Sequence, residues 1–183
     1  MASALSLPIE TERLCLREFC RSDADALHAY ASQEEVTRYL MWGPNDRQAS
    51  ETQLSSFIEA AAAQPRTVYE LALSLRADGR VIGALCLYLD DASDQEPTGA
   101  ELGFVLHSDF WGQGMATEAA KALLSHGRSE LDLAHVWATC DARNQGSIGV
   151  LEKIGMFRQE TVRGARVTED GHIDEHRYVF PAA

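Results

Sequence analysis

A pair of glycines, Gly112 and Gly114, separates a strand-forming segment from a helix-forming segment in this sequence. Residues 100–107 before the pair are rich in strand formers, and Ser108-Asp109 supplies a turn. Beyond the pair, small and apolar residues recur at the spacing of one helix face: Ala116, Ala119, Ala120, Leu123, Leu124 and Gly127. The pattern predicts a strand, a glycine turn and a helix in direct succession.

The predicted turn has the chemistry of an anion-binding site. On the first turn of a helix, unpaired backbone N–H groups and the positive end of the helix dipole favour a phosphate. A P-loop would end in Gly-Lys-Ser/Thr, and a dinucleotide fingerprint would carry a third glycine three residues after the second. This chain has Thr117 at that position and no lysine after either glycine. A tight turn without a ligand stays open as an alternative.

A second motif follows downstream, where Asn144-Gln145-Gly146-Ser147 links a predicted strand at 134–140 to a short predicted helix. Together the two motifs resemble the GNAT superfamily of N-acetyltransferases, and within it the Rim-type branch of ribosomal-protein N-terminal acetyltransferases. The segments that carry this resemblance are residues 10–17, 78–83, 101–104, 111–119 and 144–156.

Length and composition fit one compact domain spanning residues 1–183, because 45% of the residues are hydrophobic and can form one substantial core. No apolar stretch approaches the length of a membrane span, and the N-terminus lacks a signal-peptide pattern, so a cytoplasmic protein without a membrane partner is expected. The net charge of −12 argues against a nucleic-acid partner. Reduced structural thiols are expected at Cys15, Cys20, Cys86 and Cys140, which form no C-x-x-C pair.

The remaining elements predict an α+β fold. Strands are expected at 13–19, 69–76, 80–89, 158–166 and 172–180, and helices at 23–31 and 48–63. Asp78-Gly79 is a hairpin signal between two of the strands. The expected architecture is a GNAT-like single domain with a central mixed, mostly antiparallel sheet, helices on both faces, and one βαβ-like crossing at the glycine turn.

The resemblance implies acetyl-CoA as cosubstrate and a defined site for it. Backbone groups of Phe104, Val105 and Leu106 would pair with the pantetheine arm as an added strand would. Asn144 would align the pantetheine amide or the acceptor, and it is also a suitable helix N-cap. The residues expected to hold the pyrophosphate are Gly112, Gln113, Gly114, Met115, Ala116 and Thr117. No metal is expected.

Acetyl transfer to an amine requires a neutral nucleophile, a polarised thioester carbonyl and a proton for the leaving thiolate. Some relatives carry a tyrosine acid and a glutamate base where this chain has Leu151 and Thr139, so those two roles do not carry over. Ser147 is the candidate proton donor, with a local helix-start role as its alternative. Glu101 is the candidate base acting through water, with pairing to a neighbouring strand or to the acceptor's cation as its alternative.

The predicted function is direct acetyl transfer from acetyl-CoA to a primary amine, preferably the N-terminal α-amine of a protein or peptide. A small-molecule amine such as an antibiotic, a polyamine or an amino acid analogue is the enzymatic alternative. A non-catalytic acyl-CoA-binding sensor is the alternative from another class. The resembled branch also makes a homodimer a reasonable expectation.

Several other side chains are given provisional roles. Trp111 is expected to pack, and Glu118 to complement the helix dipole. A metal site at His172, Asp174 and His176 is disfavoured, because three residues of one strand lack a visible fourth partner. Candidate contacts to the acceptor are Asp174, His176 or Tyr178. The aromatic residues Tyr39, Trp42 and Tyr69 are further candidates, with a place in the core as their alternative. Lys121, Arg143 and Lys153 are candidate contacts to the adenosine phosphates.

Overall fold

The structure is a computed structural model that describes residues 4–90, 98–168 and 171–180. Its strands are β1 (Ile9–Glu10), β2 (Leu14–Glu18), β3 (Val68–Leu75), β4 (Val81–Leu89), β5 (Gly99–Leu106), β6 (His135–Asp141), β7 (Phe157–Thr168) and β8 (Gly171–Val179). Its helices are α1 (Ala24–Ala31), α2 (Glu34–Thr37), α3 (Arg47–Ala62), α4 (Met115–Glu130) and α5 (Gln145–Lys153).

The strands form one mixed sheet in the order β1-β2-β3-β4-β5-β6-β8-β7. Neighbouring strands are antiparallel except β5 and β6, which are parallel. Because α4 connects these two parallel strands, it forms the predicted βαβ-like crossing. The predicted α+β fold with a mixed, mostly antiparallel sheet is confirmed.

Helices cover both faces of the sheet. On one face, Ala119 and Leu123 of α4 and Leu151 of α5 belong to the core cluster that includes Leu71 of β3. On the other face, helices α1 and α3 pack against a cluster that includes Ala72, the residue after Leu71. Successive strand residues point to opposite faces, so one strand supplies both clusters.

Two short elements were absent from the sequence prediction. Strand β1 spans Ile9–Glu10, and helix α2 spans Glu34–Thr37. Neither is long enough to show a hydrophobic period, which is the main signal for secondary structure in a sequence. The second omission bears on function, because Tyr39 and Leu40, just after α2, border two cavities described below.

Strands β5 and β6 pair only at their beginnings. The register joins Gly99–Glu101 to residues 135–137, whereas β5 continues to Leu106 and β6 to Asp141. The two strands therefore diverge toward their carboxyl ends, leaving the second half of β5 without a strand on that side. This opening between β5 and β6 lies directly before the glycine turn.

Candidate active site

Two residues of β5 direct their backbone groups into the opening. His107 N–H donates to Ile82 O at 2.8 Å, and Val105 O lies against Gly83, so both of these groups face β4. Backbone groups alternate in direction along a strand, and those of Phe104 and Leu106 therefore face the opening. Of the three residues expected to offer backbone groups to a ligand, Val105 instead directs its carbonyl toward β4, and its side chain packs against the cluster under α1 and α3.

The glycine turn lies at the start of α4, as its sequence predicted. Gly112 and Gly114 have φ values of +73° and +76°, in the left-handed region that favours glycine. Gly114 is the N-cap of α4, and the first hydrogen bond within the helix runs from Glu118 N–H to Gly114 O at 3.0 Å. The N–H groups of Met115, Ala116 and Thr117 thus have no acceptor within the helix, as at the start of any α-helix. The turn presents these donors at the positive end of a 16-residue helix.

Glu118 joins this turn to the loop between β1 and β2. Its carboxylate accepts hydrogen bonds from Thr11 Oγ1 at 2.6 Å, from Arg13 N–H at 3.0 Å and from Arg13 Nε at 2.7 Å. Burial acts to raise the pKa of Glu118, but the bonds from Thr11 and Arg13 outweigh it and hold that pKa below its usual value. Arg13 Nη1 also donates to Gln113 O at 3.0 Å. These contacts support the structural role expected of Glu118.

A cavity of about 700 Å³, here called the turn cavity, lies between the glycine turn, β5 and the start of α5. It is lined by nine of the residues predicted to bind the cosubstrate: Phe104, Val105, Leu106, Gly112, Gly114, Met115, Ala116, Thr117 and Asn144. The tenth, Gln113, does not line it and donates through Nε2 to Asp109 O at 2.9 Å. Arg143 and Lys153 line the turn cavity, whereas Lys121 does not.

A second cavity, of about 930 Å³, lies on the α3 face of the sheet. We call it the acidic cavity, because its lining includes the carboxylates of Asp46, Glu70, Glu101, Asp141 and Glu175. It shares Tyr39, Leu40, Phe104 and Val105 with the turn cavity. The two cavities therefore adjoin each other near the carboxyl end of β5.

Glu101 lines the acidic cavity from β5. It accepts a hydrogen bond from Thr139 Oγ1 at 3.1 Å. Burial raises the pKa of Glu101, with smaller contributions from Glu175 and Asp90, while the Thr139 bond and Arg177 oppose the rise. A carboxylate with a raised pKa is a better proton acceptor, as a general base requires.

Asn144 and Ser147 meet at the start of α5. Asn144 Oδ1 accepts a hydrogen bond from Ser147 N–H at 3.0 Å, so Asn144 is the N-cap of this helix. Both residues line the turn cavity. Within the described residues the Ser147 hydroxyl makes no hydrogen bond, so the local helix-start contact of Ser147 is made by its backbone.

The match to known proteins agrees with this geometry. The family model described as an Acetyltransferase (GNAT) domain matches residues 13–157. The chain belongs to the GNAT acetyltransferase family. It is 30% identical over 172 residues to the uncharacterised N-acetyltransferase YnaD of Bacillus subtilis (strain 168), an alignment that covers 94% of this chain and 95% of YnaD. This GNAT chain is accordingly an N-acetyltransferase, as its sequence predicted.

Two solved structures share the fold of this GNAT chain. An acetyltransferase from Salmonella typhimurium that modifies the N-terminal serine of a 50S ribosomal subunit protein superposes with a TM-score of 0.81 at 18% identity, covering 96% of this chain and 98% of that one. The microcin C7 self immunity acetyltransferase MccE, in complex with acetyl-CoA and AMP, superposes with a TM-score of 0.78 at 17% identity, covering 94% of each chain. At these identities the likeness concerns the fold.

The three acceptor contacts expected on β8 of the GNAT domain lie outside the acidic cavity. Asp174 Oδ1 accepts from Gly164 N–H, His176 contacts Thr161 and Arg158, and Tyr178 donates to Glu152. None of the three lines the acidic cavity, whereas the intervening Glu175 does. Because side chains alternate along a strand, Glu175 lies on the opposite face of β8 from these three residues.

Some of the aromatic residues lie where the sequence predicted them, and others do not. Tyr39 and Trp42 line the acidic cavity as expected, but Tyr69 is only 1% exposed and lies in the core. Trp111 does not pack fully, because it is 48% exposed and lines the turn cavity. Its indole N–H donates to Leu106 O at 2.8 Å, which fixes the end of β5 to the glycine turn.

Glu70 was missed by the sequence analysis. It lies on β3, is only 8% exposed, and accepts a hydrogen bond from the Tyr88 hydroxyl. Burial raises the pKa of Glu70 to about 7, although the bond from Tyr88 acts in the opposite direction. The available signal was a single acidic residue in the otherwise apolar run Val68-Tyr69-Glu70-Leu71-Ala72.

We expect Glu70→Gln to stabilise the protein at alkaline pH. The folded state holds the Glu70 proton more tightly than the unfolded state, because the pKa is raised from 4.5 to about 7. The stabilisation is therefore complete below about pH 4 and is lost as pH rises through 7, for a total of roughly 3 kcal/mol. Glutamine does not ionise and still accepts a hydrogen bond from Tyr88, so the variant does not lose this stability at alkaline pH.

Urea unfolding at about pH 5 and about pH 8.5 measures the effect. The gain of Glu70→Gln over the wild type should be largest at the higher pH and shrink toward the lower one. Glu59→Gln, at an exposed position of α3, makes the same change in net charge and should show no such trend. An equal difference at both pH values would mean that Glu70 ionises normally in the folded protein.

Proposed function

We propose that this chain transfers the acetyl group of acetyl-CoA directly to a primary amine, and that the amine is the N-terminal α-amine of a protein or peptide. The observation that carries the proposal is the meeting of two different cavities at Phe104 and Val105. One of them ends at backbone donors suited to phosphate, and the other is lined by carboxylates suited to an amine. An acetyl donor and an amine acceptor would thus contact each other near the carboxyl end of β5.

The turn cavity suits the phosphates and pantetheine of acetyl-CoA. The N–H groups at the start of α4 would bind the pyrophosphate, which approaches closely because Gly112 and Gly114 carry no side chains. Phe104 would pair with the amides of the pantetheine arm through its N–H and C=O groups, and Leu106 through its N–H, because Trp111 already occupies the Leu106 carbonyl. This arrangement would bring the thioester to the junction of the two cavities.

Glu101 and Ser147 lie on the two sides of that junction. Glu101 would accept a proton from the ammonium group through a water molecule, which leaves a neutral amine to attack the thioester carbonyl. A carbon–nitrogen bond forms and the carbon–sulfur bond breaks. The attacking nitrogen would then lose its second proton through water to solvent, while Ser147 would donate its hydroxyl proton to the leaving thiolate and regain a proton from solvent. No covalent acyl-enzyme is required.

The ease of deprotonation favours an α-amine as acceptor. An α-amine with a pKa near 8 loses its proton at pH 7 at a cost of roughly 1 kcal/mol, whereas a lysine side chain costs roughly 4.6 kcal/mol. Glu101 alone can therefore deprotonate an α-amine more readily than a lysine side chain. The Salmonella enzyme of similar fold, which modifies an N-terminal serine, adds support to this choice.

The homodimer and the cytoplasmic location stay predictions. Among the described residues, none of the helices has the length and apolar character of a membrane span.

The proposal is tested by thiol release from acetyl-CoA in the presence of peptides with free or formylated N-termini, polyamines and aminoglycosides. We expect turnover with free N-termini and its loss on formylation, with one acetyl group added to each peptide in the mass spectrum. Turnover with small amines alone would replace the proposed acceptor. CoA binding without turnover on any amine would favour a sensor.

Ser147→Ala is expected to lower kcat by about a hundredfold with a smaller change in the KM for acetyl-CoA, because the lost proton donor acts only as the thiolate leaves. The helix should persist, since its N-cap contact uses the Ser147 backbone. Steady-state kinetics of this variant beside Ser55→Ala, at an exposed position of α3, measure the effect. An unchanged kcat would leave Ser147 as a helix-start residue only.

A further inference from the structure

The carboxylates of the acidic cavity differ in whether a cation neutralises them. Asp141 lies 2.7 Å from Arg143 Nη2 and 3.8 Å from Arg166 Nη2, and Glu175 lies 3.4 Å from Arg166 Nε. Glu70 forms no ion pair within the described part of the chain, although it is almost fully buried. Its one hydrogen bond to a side chain comes from the neutral hydroxyl of Tyr88. A buried carboxylate without a counterion is costly to ionise unless a ligand supplies the positive charge.

Tyr30 provides a second, independent sign of a ligand at this place. It lies on α1, is only 1% exposed and lines the acidic cavity. Among the described residues its hydroxyl has no hydrogen-bond partner. Buried tyrosine hydroxyls usually have one. Tyr30 and Glu70 line the same cavity. Burial raises the pKa of Tyr30, and the charges of Glu70 and Asp23 add to the rise.

The Glu70 position is separate from the position of the reacting amine. In the sheet register Glu70 is opposite Cys86, and Glu101 is opposite Tyr88, so the two glutamates lie two strands and two residues apart. Standard sheet spacings put their Cα atoms roughly 12 Å apart. Both side chains line the same cavity, with Tyr88 between them. A flexible acceptor can therefore contact both glutamates at once.

We propose that Glu70, Tyr30 and Tyr88 form a second subsite of the acidic cavity, which binds an ammonium or guanidinium group carried by the acceptor at a distance from the amine that is acetylated. The Glu70 carboxylate supplies the opposite charge, and the two tyrosine oxygens accept further hydrogen bonds from the cation. The inference rests on the proposed function, because it assigns the acceptor of the same site to the class of dications.

Two kinds of acceptor carry this chemistry. One is a peptide whose N-terminal residue has a basic side chain, with the α-amine near Glu101 and the side-chain cation at Glu70. The other is a free diamine, which offers one amine to each glutamate. Two matched pairs of compounds each compare a dication with a monocation of similar length. One pair is a peptide beginning with lysine and the same peptide beginning with norleucine, and the other is cadaverine and pentylamine. Comparing the two pairs distinguishes a peptide acceptor from a free diamine.

The test measures binding of both pairs by calorimetry, with and without saturating CoA, to the wild type and to the variants Glu70→Gln, Tyr30→Phe and Glu59→Gln. We expect the wild type to bind at least one dication about tenfold or more tightly than its matched monocation. Glu70→Gln should abolish this preference and Tyr30→Phe should reduce it. Glu59→Gln, on the exposed side of α3, should retain it. Circular dichroism establishes that each variant is folded.

Equal binding of dication and monocation in both pairs by the wild type would overturn the subsite, as would a full preference in folded Glu70→Gln. If that variant does not fold, the comparison of dication and monocation in the wild type and in Tyr30→Phe still tests the subsite. Acetyl transfer to the lysine and norleucine peptides is measured in parallel. Its absence with both peptides contradicts the proposed function and leaves the binding result to judge the subsite by itself.

Discussion

Replacing Gly114 by aspartate should weaken CoA binding by about a thousandfold. The new carboxylate would lie at the start of α4, where the structure presents the N–H groups of Met115, Ala116 and Thr117. A unit negative charge about 4 Å from a phosphate charge costs about 4 kcal/mol at the effective dielectric constant near a protein surface. The side chain also occupies the space through which a phosphate would approach the backbone.

Gly114→Asn is the matched control for this variant. Asparagine has nearly the same volume and also tolerates a φ of +76°, so it imposes the same crowding and backbone strain without the charge. Calorimetric titration with CoA should show a much smaller loss for Gly114→Asn than for Gly114→Asp. Similar losses in both would indicate a steric effect alone. Wild-type affinity in Gly114→Asp would remove the glycine turn from the phosphate site.

Replacing Glu101 by glutamine should lower kcat by about a hundredfold and change the pH profile. Burial raises the pKa of Glu101, so in the wild type the rate should rise as pH increases through that raised value. Glutamine keeps the size of the side chain and the acceptor for Thr139, but it cannot take a proton. The alkaline-side rise should therefore disappear while the affinity for CoA stays nearly the same.

Glu18→Gln supplies the comparison for Glu101→Gln, because Glu18 lies on β2, pairs with Arg66 and does not line either cavity. It makes the same change in net charge and should keep the wild-type pH profile. A Glu101→Gln enzyme with an unchanged kcat and an increased KM for the amine would make Glu101 a binding group for the ammonium. If kcat, KM and the pH profile of Glu101→Gln all match those of the wild type, Glu101 has no role in the site.

The parts of the site that depend on local sequence were predictable. Gly112 and Gly114 between a strand pattern and a helix pattern predicted the turn, because positive φ and the start of a helix are set within a few residues. Asn144 was likewise foreseen as the cap of α5. Such features need no knowledge of what packs against them.

The acidic cavity could not be predicted in the same way. It depends on which strands are neighbours and on their register, which places Glu70 beside Tyr88 and separates β5 from β6 beyond Glu101. No local pattern encodes such pairings. For the same reason the sequence pointed to Asp174, whereas Glu175 lines the acidic cavity: a shift of one residue in a strand selects the opposite face.

The most direct test of the central claim is a crystal structure of this protein with bound CoA. We expect pyrophosphate oxygens within hydrogen-bond distance of the N–H groups at the start of α4, pantetheine alongside Phe104 and Leu106, and the thiol at the junction with the acidic cavity. CoA bound anywhere else, or a strand of the protein filling the opening between β5 and β6, would contradict the account.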